Sequence, residues 1–261
     1  MEKKRPVILV VNDDGITARG IRSLIEVAAQ LGDVVVVAPD SPQSAMGHAI
    51  TISKPLRLDK VELYPGIEMY QCSGTPVDCV KLAVNQVLHG KPDLCISGIN
   101  HGLNNSINVL YSGTMSAAME GAIEGIPSIG FSLDDYSAQA DFSHCLPFVK
   151  EVCEQVLENG LPEGVLLNVN FPNGPEIKGM KICRQARAKW KEEFDERLDP
   201  NKRKYYWLTG VFQLLDEGED TDVRALKNGF GSIVPVQFDL TAHHAMAELN
   251  SWKFEVQTSL G

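Results

Sequence analysis

The chain is short of positive charge. Its 261 residues carry 24 Lys and Arg against 34 Asp and Glu, a net charge of -10. Sequence-independent binding to a nucleic-acid polymer needs clustered Lys and Arg on the phosphates, so that class is disfavoured. An anionic small substrate would need a metal or backbone N–H groups to offset the field. Cysteine pairing is also missing. The six cysteines, Cys72, Cys79, Cys95, Cys145, Cys153 and Cys183, form no C-x-x-C unit, which leaves a zinc site unsupported. Several sit inside apolar patterns, as buried free thiols do. Long hydrophobic runs are absent too. The basic start, Met1-Glu2-Lys3-Lys4-Arg5-Pro6, is followed by only five apolar residues before Asn12, too few for a signal-peptide core or a membrane span. A soluble cytoplasmic protein with reduced thiols is expected. No internal repeat or low-complexity segment appears.

What is present is organised around Val7-Ile8-Leu9-Val10-Val11, which ends abruptly at Asn12-Asp13-Asp14-Gly15. A run apolar at every position suits a parallel strand covered on both faces. The acids then fall just past its C-terminal end, where open α/β sheets bind ligands. Two adjacent carboxylates repel, and a divalent cation between them turns that repulsion into an attraction. Ile21, Leu24, Ile25, Ala28 and Leu31 mark a helix, and Val34 to Ala38 a second buried strand. Strand, helix, strand is a βαβ unit with a right-handed crossover.

Further along, residues 50–70 read as short strands. Thr75-Pro76-Val77-Asp78 reads as a helix start running towards Leu88, with Thr75 as N-cap and Asp78 as the third-position acid. Leu94 to Ser97 is the next buried strand, and residues 98–112 read as a loop. Ser112-Gly113-Thr114 begins another helix. Ser128 to Leu133 is a strand, Leu146 to Val156 marks a helix, and Val165 to Phe171 is a strand. The pattern changes after Pro175. Residues 184–204 are heavily charged, residues 205–215 suggest a β-ribbon arm, 233–238 a last strand and 242–249 a short helix. The expected architecture is a Rossmann-like α/β three-layer sandwich with a mostly parallel sheet. It forms one domain over residues 1–261, with a core to about 183 and an oligomerisation extension over about 184–261.

Loops after parallel strands meet at one sheet edge. Those after the first, second and third buried strands offer Asp13, Asp14, Ser44 and Asn100, all oxygen donors, which suits Mg²⁺, Mn²⁺ or Ca²⁺. The helix start at Ser112, Gly113 and Thr114 adds free N–H groups and a positive dipole end. A metal beside such an anion cradle points to phosphate-ester hydrolysis, with Asp13 or Asp14 also able to accept a proton from water. Each piece alone has a plainer reading. The acid pair could be a turn with a capping acid, Ser44 a loop hydroxyl, Asn100 a turn-former, and Ser112-Gly113-Thr114 a helix cap. His48 and His101 lie on candidate loops and are left unassigned. Trp190, Tyr205, Tyr206 and Trp207 read as packing or subunit contact rather than a nucleobase platform, and the charges from Lys189 to Arg203 as a solvated face.

In order along the chain stand Val10-Val11-Asn12-Asp13-Asp14-Gly15-Ile16, Ala38-Pro39-Asp40 with Ser44-Ala45, Gly74-Thr75-Pro76-Val77-Asp78-Cys79-Val80, Ser97-Gly98-Ile99-Asn100 and Tyr111-Ser112-Gly113-Thr114. This ordered set resembles the stationary-phase survival protein E family, metal-dependent 5'/3'-nucleotidases, densely over about residues 7–135 and more loosely beyond. The resemblance implies one divalent metal, Mg²⁺ or Mn²⁺, held by Asp13, Asp14, Ser44 and Asn100. It implies a phosphate pocket lined by Asn12, Ser112, Gly113 and Thr114, and hydrolysis of nucleoside monophosphates. It also implies a homodimer or homotetramer built through C-terminal arms. The family usually reads G-x-N-x-G-x-D after the metal-binding asparagine. Here Ser106 replaces the second glycine and Asn108 the acid. Two other readings stand beside it: a non-catalytic Mg²⁺-binding signalling module, and an oligomeric interaction protein with a vestigial site. Receiver-type modules need an aspartate at the end of a central strand, and here Ser97-Gly98-Ile99-Asn100 holds none.

Overall fold

The computed structural model describes residues 5–174, 176–191 and 194–253. Met1 to Lys4, part of the basic start, and Pro175, where the pattern changes, lie outside the described residues. In chain order the elements are β1 (Val7–Val11), α1 (Arg19–Leu31), β2 (Asp33–Pro39), β3 (Leu58–Val61), β4 (Glu68–Cys72), α2 (Pro76–Leu82), β5 (Leu94–His101), α3 (Gly113–Ile123), β6 (Ser128–Leu133) and α4 (Leu146–Asn159). Then come β7 (Val165–Phe171), β8 (Met180–Ile182), β9 (Ala188–Lys191), β10 (Phe194–Leu198), β11 (Lys204–Leu208), β12 (Val211–Leu214), α5 (Asp222–Lys227), β13 (Gly231–Gln237) and α6 (His243–Leu249).

Nine strands form the central sheet in the order β3-β4-β2-β1-β5-β6-β7-β13-β8. From β4 across to β7 every pairing is parallel. β1 alternates its side chains between two cores. Ile8 and Val10 pack with Ile21 and Leu24 of α1 and Val149 and Cys153 of α4. Leu9 and Val11 pack with Val80 of α2 and Ala117 of α3 on the other face. Both faces are therefore dry, which is why β1 is apolar throughout. From β1 the chain moves outward through β2 to β4, then returns to add β5 on β1's other side. The order reverses between β1 and β5, and open sheets of this kind bind ligands at that reversal.

Thr75 caps α2 as its sequence indicates. Asp78 N–H donates to Thr75 Oγ1 at 3.2 Å, and Thr75 N–H donates back to Asp78 Oδ2 at 2.9 Å. The helix does not run as one α-helix to Leu88. It changes at Ala83 to a wider turn in which Leu88 N–H donates to Ala83 O at 2.8 Å.

Three further expectations are corrected. The segment after Ser97 is not a loop at once: β5 continues to His101 because β6 runs beside it, pairing Asn100 with Ser132 and His101 with Leu133. The register slips between Ser97 and Asn100 at Gly98 and Ile99, joined by a cis peptide bond. Gly98 sits at φ +120°, and a Cβ there would lie 2.3 Å from Phe131 O, so only glycine fits. Residues 106–110 form a short 3-10 helix. Nor is the whole stretch from 184 an extension, since β13 pairs antiparallel with β7 inside the central sheet. The ribbon is longer than residues 205–215. β10 pairs with β11 and β9 with β12, so part of the charged run supplies the opposite strands.

Candidate metal and phosphate site

The β1 end delivers Asn12, Asp13 and Asp14 to the reversal point, and three neighbours fix them there. Gln43 N–H, in the loop after β2, donates to Asp13 O at 2.8 Å. Thr114 Oγ1, in the first turn of α3, donates to Asp13 Oδ1 at 2.5 Å. His101 N–H, at the end of β5, donates to Asp14 Oδ2 at 3.4 Å. α3 approaches so closely that a Cβ on Gly113 would fall 2.7 Å from Asp13 Cβ and 2.9 Å from its Oδ2. Glycine is required there by the contact itself.

Asp13 is 5 % exposed. Burial, and next the adjacent Asp14 charge, push its carboxyl up to about 6, against the lowering effect of the Thr114 hydrogen bond. Burial raises Asp14 as well, opposed by His101. The pair is thus poorly solvated and self-repelling, and a cation would relieve both. Asn12 is buried; its Nδ2 donates to Gly15 O at 2.9 Å, while Oδ1 has no hydrogen-bond partner. That orphaned acceptor also fits a cation or a water bound to one. Asn100 donates through Nδ2 to Gly102 O at 2.8 Å, which leaves its oxygen as the end it can offer. Among the described residues no three His, Cys, Asp or Glu side chains gather to hold a metal. A cation at Asp13 and Asp14 would therefore be completed by neutral oxygens, the donor set of a hard ion.

The other sequence candidates are placed as follows. Ser44 lies in an exposed turn one residue beyond Gln43. Ser112 is the N-cap of α3, its Oγ accepting from Met115 N–H at 3.0 Å. Thr114 is fully buried against Asp13, so its hydroxyl orients the carboxylate. The Thr114 N–H also bonds the Asp13 carboxylate, and the Gly113 N–H lies beside it at the positive end of α3. His101 was unassigned by sequence. The structure puts its backbone on Asp14, buries Nδ1 without a partner, and packs its ring edge-on to Phe142 at 5.1 Å. Local sequence carries no signal for this, because it depends on the register slip in β5. Ser106 adopts φ +51°, the region favouring the glycine expected at that position. It is held there by Asp222 Oδ2, which accepts from Ser106 N–H at 2.7 Å, and by Ala186 O, which accepts from its Oγ at 2.8 Å.

The sequence pattern of the family described as Survival protein SurE matches residues 8–192. A protein of Christiangramia forsetii named 5'-nucleotidase SurE is 64% identical over 257 residues, 97% of this chain and 98% of its own. One of Bacteroides fragilis with the same name is 50% identical over 256 residues, 97% of this chain and 100% of its own. The crystal structure of the SurE protein from Aquifex aeolicus is similar with a TM-score of 0.81 at 40% identity, covering 94% of this chain and 98% of that one. Matched by the family pattern over residues 8–192 and similar to these relatives along nearly its whole length, the chain belongs to the survival protein SurE family.

Proposed function

We propose that this protein is a metal-dependent 5'-nucleotidase, hydrolysing nucleoside 5'-monophosphates, and 3'-monophosphates as a second class, to nucleoside and phosphate. The observation that carries the reading is buried Asp13 beside half-buried Asp14 at the β1/β5 reversal, with the N-terminus of α3 packed against Asp13. The relatives' name, 5'-nucleotidase, agrees with that chemistry.

Asp13, Asp14, Ser44 and Asn100 would hold one Mg²⁺ or Mn²⁺. When bound, the cation would supply a polarised phosphoryl oxygen and a water of lowered pKa. The chain's own groups do the rest. Thr114 fixes Asp13 through its hydroxyl. The Gly113 N–H, with Ser112 and Thr114 beside it, faces the charge that builds on the phosphoryl oxygens. Asn12 lines the same pocket. Asp13 or Asp14 would accept a proton from the attacking water. The ester oxygen leaves with the nucleoside and is protonated from solvent.

The ribbon presents Trp207 and Leu208, 58% and 66% exposed, on the outside of the subunit. A second copy of the chain covers such a surface, giving a homodimer or homotetramer through the β10–β11 arm. All six cysteines are free, which suits a reducing, cytoplasmic setting. Among the described residues no helix is long and apolar enough to cross a membrane. Neither a membrane nor a nucleic-acid polymer is a partner in this reading.

The test is phosphate release from a panel of nucleoside 5'- and 3'-monophosphates with Mg²⁺, Mn²⁺ or EDTA. Release that requires metal is expected. No release from any nucleotide by folded, metal-supplemented protein favours the vestigial-site reading instead.

A further inference from the structure

Beyond His101 the chain runs directly into a second, shallow cleft. It has a volume of 220 Å³ and is lined by Leu103, Asn105, Asn108, Tyr136, Trp190 and Phe212. One wall of it lies a short reach of backbone from the acids. His101 N–H donates to Asp14 Oδ2 at 3.4 Å, and Leu103 follows two residues later, at most about 7 Å of extended chain. Cavities that enclose a drug-sized ligand begin at about 300 Å³. This cleft therefore suits one planar ring system rather than a whole nucleotide.

Its walls are aromatic and held in place. Trp190 Nε1 donates to Asn108 Oδ1 at 2.9 Å. Phe212 meets the Trp190 ring edge-on, with centroids 5.7 Å apart at 73°. Tyr136 lies against Gly102, so near that a Cβ there would fall 2.3 Å from its ring. Yet Trp190 is 40% and Tyr136 76% exposed. Amides supply the polar edge. Asn108 Nδ2 donates to Asn105 Oδ1 at 3.4 Å, and among the described residues the Asn105 amide nitrogen has no acceptor. Trp190 thus differs from Tyr205, Tyr206 and Trp207, with which its sequence position groups it, because it is anchored to the loop that leaves the carboxylate site.

We propose that this cleft is the nucleobase subsite: the base stacks on Trp190 and Tyr136, and the Asn105 amide donates to an acceptor on its edge. The proposal rests on the nucleotidase reading, since it places the phosphate at Asp13 and Asp14 and the base one sugar away.

The experiment compares wild type, Trp190→Ala and Trp190→Phe on AMP and on ribose 5-phosphate, and titrates each protein with adenosine by calorimetry. Loss of one stacked base contact corresponds to roughly a tenfold or larger weakening. Trp190→Ala should raise KM for AMP by about that factor, leave ribose 5-phosphate within about twofold, and lose adenosine binding, with Trp190→Phe restoring most of it. Equal losses on both substrates, or no loss on AMP, overturn the subsite. The two readings fail separately. Trp190-dependent adenosine binding with no turnover of either phosphate ester keeps the subsite and sinks the hydrolase. Equal turnover of AMP and ribose 5-phosphate with no adenosine binding keeps the hydrolase and sinks the subsite.

Discussion

Asp13 and Asp14 are neighbours in sequence, and burial makes their shared charge costly. Asp13 ionises at about 6 in the fold against 3.8 for an ordinary aspartate, so the folded state holds its proton more tightly than the unfolded chain. Its stabilising contribution is complete below about 3.8 and is lost as pH rises through about 6. Metal-free protein should therefore melt at a lower temperature at pH 7 than at pH 5 as far as this group decides, and Asp13→Asn should narrow that difference. Mn²⁺ should reverse the trend, because it binds the ionised pair, and its apparent affinity should fall about tenfold per pH unit below the Asp13 value. Thermal melts with and without Mn²⁺ at the two pH values check both statements. Thr114 acts on the same carboxylate through its hydroxyl. Thr114→Val removes a hydrogen bond to a charged group, worth about 1.5–3 kcal/mol. It should lower kcat about tenfold or more and move the acid limb of the pH profile upward, while Thr114→Ser retains wild-type behaviour. An unchanged pH profile in Thr114→Val would contradict the role given to this hydroxyl. The acids were legible in sequence because an apolar strand stops at them. Thr114's role was not, because its partner lies 101 positions away.

Between elements, α2, α3 and the loop after β2 are joined by Glu120. Its side chain is 3 % exposed and accepts from His48 Nε2 at 2.9 Å, while Lys81 pairs with its other oxygen. Burial alone would raise the Glu120 carboxyl, but the hydrogen bonds from His48 and Lys81 outweigh it and hold it below its usual range. A depressed carboxylate adds stability above its unfolded value of about 4.5 and loses it as pH falls through the folded one. Glu120→Gln should cost about 1–3 kcal/mol at pH 7 and flatten the acid side of the stability curve, read by circular dichroism melts from pH 3 to 7. A variant as stable and as acid-sensitive as wild type would contradict this. Sequence left His48 unassigned, since nothing near it foretells a partner 72 residues on. The α2 cap was legible because Thr75, Pro76 and Asp78 are local to it. The extension of β5 through Asn100 was not, because β6 imposes it from outside.

For the whole molecule, the alternation of buried strands and amphipathic helices up to β7 was enough to give the parallel sheet, but the strand order and its reversal between β1 and β5 were not legible, because no local period says on which side of β1 a strand is added. β13 was legible as a strand over 233–238, but its pairing with β7 was not: a strand that returns from the far side of a ribbon carries no local sign of its partner. The ribbon's exposed rings belong to this scale too. Tyr206→Ser/Trp207→Ser should shift the protein to smaller assemblies in light scattering behind size exclusion, with the fold intact by circular dichroism; an unchanged mass would contradict an arm-mediated oligomer. The central claim is that the acid pair at the β1 end and a divalent cation together hydrolyse a nucleoside monophosphate. Its most direct test is phosphate release from AMP by wild type and Asp14→Asn, with Mn²⁺ and with EDTA, alongside Mn²⁺ titration of both proteins. The account predicts metal-dependent release by wild type, a loss of two or more orders of magnitude in Asp14→Asn, and weakened Mn²⁺ binding in that variant. Release that persists in Asp14→Asn or in EDTA would contradict it.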